Sequence, residues 1–237
     1  MTFSDSPLST AELPVQVIVI AKAPVPGRVK TRLTPPFSPD EAAALAEAAL
    51  ADTLAAVSRT PVRRKVLALD GTPGAWLPPG FDVIDQRGGG LDERIAHALT
   101  DAWAQAAMPV VLVGMDTPQV TPELLAAAAA PLAIDSADGS TDGSADATFG
   151  FAEDGGFWLL GLREVDPGLV LGVPMSRPDT GSLQLLRLEQ AGLRVRLVPE
   201  LADIDTADEA ERIAATIPDS RFARRFSALR GPVPALG

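Results

Sequence analysis

Apolar residues follow two rhythms along this chain. Val15, Val17, Ile18, Val19, Ile20 and Ala21 run almost without interruption and are mostly β-branched, as expected of a strand buried on both faces of a parallel sheet. Ser38-Pro39-Asp40-Glu41 then supplies a capping serine, a proline at the first helical position and a glutamate at the third. An alanine-rich helix is expected from there to about residue 57. The same two rhythms recur. Strands are expected at 65–69, 81–84 and 110–113, with a helix from 91 to about 106 and another opening at Thr121-Pro122-Glu123. Two further strands, 147–153 and 157–163, meet at Asp154-Gly155-Gly156. A helix over 180–190, a strand over 193–198 and a last helix from Thr206 complete the pattern. Repeated strand and helix alternation implies a three-layer α/β fold around a mostly parallel mixed sheet.

At 237 residues and 46% hydrophobic content, the chain is long enough to bury one substantial core. One domain is expected over 14–217, with a flexible N-terminus at 1–13 and a basic, then Pro/Gly-rich tail at 218–237. Residues 135–146 are acidic and of low complexity, and they read as a mobile loop within that domain. Their aspartates lack the alternate spacing and terminal glutamate of an EF-hand, so calcium is not expected there.

Charge and cysteine content narrow the chemistry. No cysteine is present, which removes disulfides and thiolate chemistry. Residues 1–14 have neither a basic start nor a long apolar run, and no stretch approaches a membrane span. A cytoplasmic setting is the expectation. A formal charge of -11 disfavours nucleic acid as a partner, because the phosphate backbone would be repelled. The single histidine, His97, lies in a helical pattern and reads as a structural residue. Chemistry then falls to carboxylates, a metal, and arginine or lysine.

Two of only three lysines lie in one short loop after the first strand, Lys22-Ala23-Pro24-Val25-Pro26-Gly27-Arg28-Val29-Lys30-Thr31-Arg32. Ligands of open α/β sheets gather outside the carboxyl ends of strands, so this is the expected place for a binding loop. Gly27 allows close backbone approach, and Arg28, Lys30 and Arg32 offer donors suited to phosphate oxygens. It is not a Walker loop, since no glycine precedes Lys30 directly and the leading glycine is missing. Asp116 follows the strand at 110–113 and reaches the same sheet edge. There it could hold magnesium or cap the turn before Pro118. The glycines at 88–90 could admit a flat nucleobase, whereas Glu93 replaces the third glycine of a dinucleotide fingerprint. Asp154-Gly155 serves equally as a hairpin turn or a functional loop. Thr206 and Glu209 read as a capping box. That leaves Asp203 and Asp205 unexplained, and either could complete a metal site.

KAPVPGRVKTRL, GMDTP, FAEDGGFWLLGL and DIDT, in that order, resemble a bacterial family of CofC-like and MobA-like transferases over roughly residues 14–215. Its members are usually labelled glycosyltransferases of the nucleotide-diphospho-sugar transferase superfamily, so the resemblance implies a GT-A type fold. Carried over by position, Lys22, Gly27, Arg28, Lys30 and Arg32 would bind nucleotide phosphates. Gly89, Gly90 and Leu91 would lie near the base, and Asp154, Gly155 and Gly156 would face the acceptor. Asp116 would hold a divalent metal, Mg2+ or Mn2+, with Asp205 as second ligand. Lys30, Arg32 and Asp116 would carry the catalysis. Met115, Thr117 and Phe151 depart from the family's usual serine, cysteine and proline. The expected activity is nucleotidyl transfer from an NTP to a small phosphorylated acceptor with pyrophosphate release. Glycosyl transfer from a nucleotide sugar and non-catalytic nucleotide binding are the alternatives. The oligomeric state is not indicated.

Overall fold

A computed structural model describes residues 12–134 and 143–230. Seven strands form one sheet in the order β3-β2-β1-β4-β6-β5-β7. They are β1 (Leu13–Lys22), β2 (Val62–Asp70), β3 (Asp82–Asp85), β4 (Val110–Val113), β5 (Ala147–Phe151), β6 (Phe157–Leu162) and β7 (Val195–Leu197). β1 runs parallel to both β2 and β4, β3 parallel to β2, and β7 parallel to β5; only β6 is antiparallel to its neighbours. This is the three-layer α/β architecture of nucleotide-diphospho-sugar transferases, as the alternation of elements and the resemblance both implied.

Among the described residues there are six α-helices, α1 (Pro39–Arg59), α2 (Leu91–Gln105), α3 (Pro122–Ala133), α4 (Thr180–Gln190), α5 (Ala207–Thr216) and α6 (Arg221–Arg230), of which α5 and α6 pack outside the sheet layers with α1. The period of two in β1 assigns its faces. Val15, Val17, Val19 and Ala21 pack with Leu50, Leu54 and Val57 of α1 and Leu125 and Leu132 of α3. Ile18 turns the other way, onto Ile95, Leu99 and Ala102 of α2 and Leu188 of α4. Both sides are covered, which accounts for the nearly continuous apolar run.

Helix starts follow their local signals. Ser38 and Glu41 form a reciprocal capping box on α1, Thr121 accepts from Leu124 N on α3, and Thr206 and Glu209 form a second capping box on α5. The segment read as a basic tail behaves differently over its first part. Residues 221–230 form α6, which buries Phe222, Ala223 and Phe226 against Leu45, Ala49 and Ile213. Phenylalanines four apart give this arginine-rich segment one apolar stripe, and that stripe is enough to dock it. The expected flexible N-terminus lies outside the described residues up to residue 11, as do 135–142 of the acidic loop and 231–237 of the tail. The end of that acidic loop is anchored, since Arg194 donates to both carboxylate oxygens of Asp146, at 2.8 and 2.9 Å. Among the described residues no helix is long and apolar enough to cross a membrane.

Candidate functional site

Sheet register delivers the first two participants. Val19 of β1 lies opposite Val113 of β4, so Lys22 and Asp116, each three residues further on, leave the carboxyl edge side by side. Lys22 N donates to Met115 Sδ at 3.3 Å across that gap. The basic loop then folds back. Val25-Pro26-Gly27-Arg28 closes with Arg28 N donating to Val25 O at 3.0 Å, with proline at the second position and Gly27 at φ 74, as a type II turn requires. A Cβ on Gly27 would meet no atom within 4 Å, so this glycine is needed for its backbone angle rather than for space.

Beyond the turn Lys30 adopts a left-handed conformation at φ 47, ψ 42, which is uncommon for a lysine and concentrated at functional positions. Its ammonium lies 2.8 Å from Asp116 Oδ2 and 3.2 Å from Asp205 Oδ1. The Lys30 side chain is only 11% exposed. Burial by itself would lower its pKa, but the attraction of Asp116 and Asp205 outweighs burial and the value is raised. Arg32 donates to Asp205 Oδ2 at 2.8 Å while remaining 70% exposed, so its guanidinium stays open to an incoming anion.

The DIDT segment supplies the remaining carboxylates. Ile204 is buried, and its N–H donates to Asp116 O at 3.1 Å. This pins the segment beside the β4 loop, and the Gln119 side chain adds a hydrogen bond to Ala202 O. In extended chain, residues two apart share a side, so Asp203 and Asp205 both face Asp116. One carboxylate oxygen from each of Asp116, Asp203 and Asp205 lies within 4.8 Å of the other two. Asp205 N is held by Glu209 Oε2 at 3.0 Å, so the α5 capping box also orients this aspartate. Burial, then the like charges of Asp116, Asp154 and Asp205, push the Asp203 carboxyl up to about 7. Three carboxylates gathered this closely could hold a metal ion. The resemblance singled out Asp205 alone; Asp203 belongs to the cluster equally, and its two-residue spacing from Asp205 was the available signal.

Other members of the basic loop sit elsewhere. Lys22 and Arg28 line a cavity of about 200 Å³ with Asp70 and Gly71. The hydrogen bond from Arg94 is the first cause holding Asp70 below the ordinary carboxylate range, and Lys22 and Arg28 add to it. Arg94 belongs to the first turn of α2 and lies 2.7 Å from Asp70, linking this cavity to the glycines at 88–90. Gln86 ties the two together by donating to Ala21 O and Ala68 O and accepting from Arg94. Asp70, Gln86 and Arg94 were not singled out by sequence, because each takes its meaning from strands that meet only in the fold. Gly89 N is taken by Glu93 Oε2 at 2.7 Å, Gly90 caps α2 and Leu91 is exposed. His97 Nδ1 lies 3.1 Å from Arg87 O, a structural contact as expected.

At the β5–β6 turn, Asp154 Oδ1 accepts from Gly156 N at 2.7 Å, so the hairpin role is real. The turn also belongs near the cluster, since Asp154 contributes to the Asp203 shift. Gly155 has φ 88, and a Cβ there would fall 1.9 Å from Pro178 O. Gly181 N donates to Gly155 O at 2.8 Å, fastening the turn to the start of α4. The basic loop, the β4 loop, the DIDT segment and this turn thus open on one edge, with the Lys22–Arg28 cavity alongside.

Comparison with known proteins bears on the fold and the family. The chain is similar to a "putative nucleotide-diphospho-sugar transferase" from Desulfovibrio desulfuricans G20, at 28% identity over 91% of this chain and 94% of that one, with a TM-score of 0.78. Two further structures share the fold. They are a CMP:2-keto-3-deoxy-manno-octonic acid synthetase complexed with CTP (15% identity, 86% and 98% coverage, TM-score 0.52) and the 4-diphosphocytidyl-2C-methyl-D-erythritol synthase of Anaerococcus prevotii DSM 20548 (12%, 86% and 98%, 0.51). No curated protein matches the chain. Residues 43–177, more than half of the chain, match the family described as "Uncharacterized protein conserved in bacteria" (DUF2064), and the chain belongs to that family.

Proposed function

We propose that this protein is a metal-dependent transferase acting on a nucleotide, and that its reaction is nucleotidyl transfer from an NTP to a small phosphorylated acceptor. The observation that carries this reading is the convergence of Lys30 and Arg32 on the carboxylates of Asp116, Asp203 and Asp205. Those three aspartates would hold Mg2+ or Mn2+, which when bound supplies neutralising charge for phosphate oxygens. Lys30 would exchange Asp116 and Asp205 for a phosphate oxygen, and Arg32 would add donors from its exposed side. An oxygen of the acceptor attacks the α-phosphorus, the bond to the bridging oxygen breaks, and pyrophosphate departs. Such chemistry rests on positioning and charge stabilisation, which suits a site whose side chains are lysine, arginine and aspartate. Lys22 and Arg28 would extend the anion-binding surface toward the nucleoside. The turn at Asp154, Gly155 and Gly156 would meet the acceptor.

Glycosyl transfer from a nucleotide sugar is a second reading, favoured by the designation of the Desulfovibrio protein. Products separate the two. Incubation with α-labelled NTPs and a panel of phosphorylated acceptors is expected to yield pyrophosphate and a labelled acceptor. Free nucleoside diphosphate from nucleotide sugars alone would establish glycosyl transfer instead. Tight nucleotide binding with turnover of neither class would leave a non-catalytic nucleotide-binding protein.

A further inference from the structure

Away from the carboxylate cluster, a groove of about 550 Å³ runs between α1, α6 and the loop that follows β2. Ala44, Ala48 and Ala51, on one side of α1, form a shallow floor, and half-buried Trp76 stands against it. The remaining wall is cationic, with Arg221, Arg224 and Arg225 against the single carboxylate of Glu47, on a chain whose formal charge is -11. Arg221 is occupied, lying 3.2 Å from Asp52. Among the described residues Arg224 and Arg225 have no carboxylate within 4.0 Å, and both are exposed.

We propose that this groove binds a small organic anion whose flat ring lies on the alanine floor beside Trp76 and whose phosphate, carboxylate or sulfonate is taken by Arg224 and Arg225. Each element of the groove has a part in this. A floor of methyl groups leaves room for a planar ring and makes no polar demand on it. The Trp76 indole at the groove gives that ring an aromatic partner. Guanidinium forks match the geometry of an oxyanion better than lysines would. Charge complementarity sets the sign of the ligand, because three arginines face one glutamate around the groove. None of the lining residues belongs to the carboxylate cluster, so binding here needs no metal.

The test titrates 1-naphthyl phosphate into the full chain in EDTA and follows tryptophan fluorescence. Trp103 and Trp158 lie outside the groove and serve as internal references. A saturable quench is expected, abolished in Trp76→Phe, with affinity about ten-fold or more weaker in the Arg224→Ala/Arg225→Ala double variant at unchanged melting temperature. Asp116→Asn should bind the probe as the parent does. 1-Naphthol and inorganic phosphate, each carrying half of the chemistry, should bind far more weakly. Equal affinity in the double arginine variant would overturn the proposal. So would 1-naphthol binding as well as its phosphate, which would mark an apolar patch. So would hexaglutamate binding in an arginine-dependent way where 1-naphthyl phosphate does not, which would assign the groove to an acidic polypeptide.

Discussion

Asp203 and Lys30 show how single residues reconcile a folded chain with a cation site. Asp203 has its carboxyl pushed up to about 7 by burial and by Asp116, Asp154 and Asp205, against a reference value of 3.8. An acid raised on folding binds its proton more tightly in the native state, so stability falls as pH rises from the unfolded value toward the folded one. The full shift would correspond to about 4 kcal/mol at ~1.36 kcal/mol per unit. The carboxyl is half-buried, so solvent screening reduces this to on the order of 1–2 kcal/mol. Urea melts in EDTA at about pH 5 and about pH 8 should show that loss in the parent and not in Asp203→Asn. Equal pH dependence in both proteins would mean that Asp203 ionises freely. Lys30 acts in the opposite sense. Its ammonium occupies Asp116 and Asp205, the oxygens a divalent ion would need, so Lys30→Met should tighten metal binding in the absence of nucleotide by about ten-fold. The same variant should lose about 100-fold in turnover, because the proposed donor for the phosphates is gone. Mn2+ binding followed by paramagnetic resonance reads the first effect, and product formation the second. Weaker metal binding in Lys30→Met would show that the lysine orders the carboxylates rather than competing for them.

Among elements, two glycine turns shape the site and differ in what they tolerate. Gly27 and Gly155 both have positive φ, at 74 and 88, but only Gly155 sits against backbone. Gly27→Ala should therefore cost about 1 kcal/mol of stability, from the strained angle alone. Gly155→Ala adds a clash with Pro178 O, so it should cost more, of order 1–3 kcal/mol, and displace the β5–β6 turn from α4. Denaturant melts give the ranking, and an acceptor KM raised in Gly155→Ala at unchanged metal affinity would place the turn beside the acceptor. Equal costs would mean that the α4 contact yields easily. Elements such as these were legible in the sequence to the extent that their signals are local. The strand at 15–21 and the capping boxes at Ser38 and Thr206 each carry their cause within a few residues. Asp203 and Asp205 were both visible, but their convergence on Asp116 depends on a hydrogen bond from Ile204 to the β4 loop, 88 positions away in chain order. Asp70, Gln86 and Arg94 were hidden for the same reason. α6 was obscured by composition, since the arginines at 221, 224, 225 and 230 mask the spacing of Phe222 and Phe226.

On the scale of the whole molecule, α6 joins the carboxylate cluster through a shared core. Phe222 and Phe226 pack in one group with Leu33, which follows Arg32, and with Ile204, which separates Asp203 from Asp205. The group also contains Phe37 and Leu45, so the basic loop and the DIDT segment rest on the same apolar bed as α1 and α6. Phe222 is fully buried, and its truncation to alanine should cost about 3–5 kcal/mol through lost transfer energy and the cavity left behind. The cavity borders the supports of Asp203 and Asp205, the proposed metal ligands, so metal affinity should fall as well, even under conditions where the variant remains folded. Ser227→Ala, at an exposed position of the same helix, should change neither quantity by more than about 0.5 kcal/mol. Calorimetric melts and metal titrations on the parent and the two variants test both effects together. A Phe222→Ala protein with unaltered melting would mean that α6 is the loosely held tail its composition suggests. Reduced stability with unchanged metal affinity would mean that Leu33 and Ile204 hold their places without it, so that the cluster is organised by the sheet edge and the α5 cap alone.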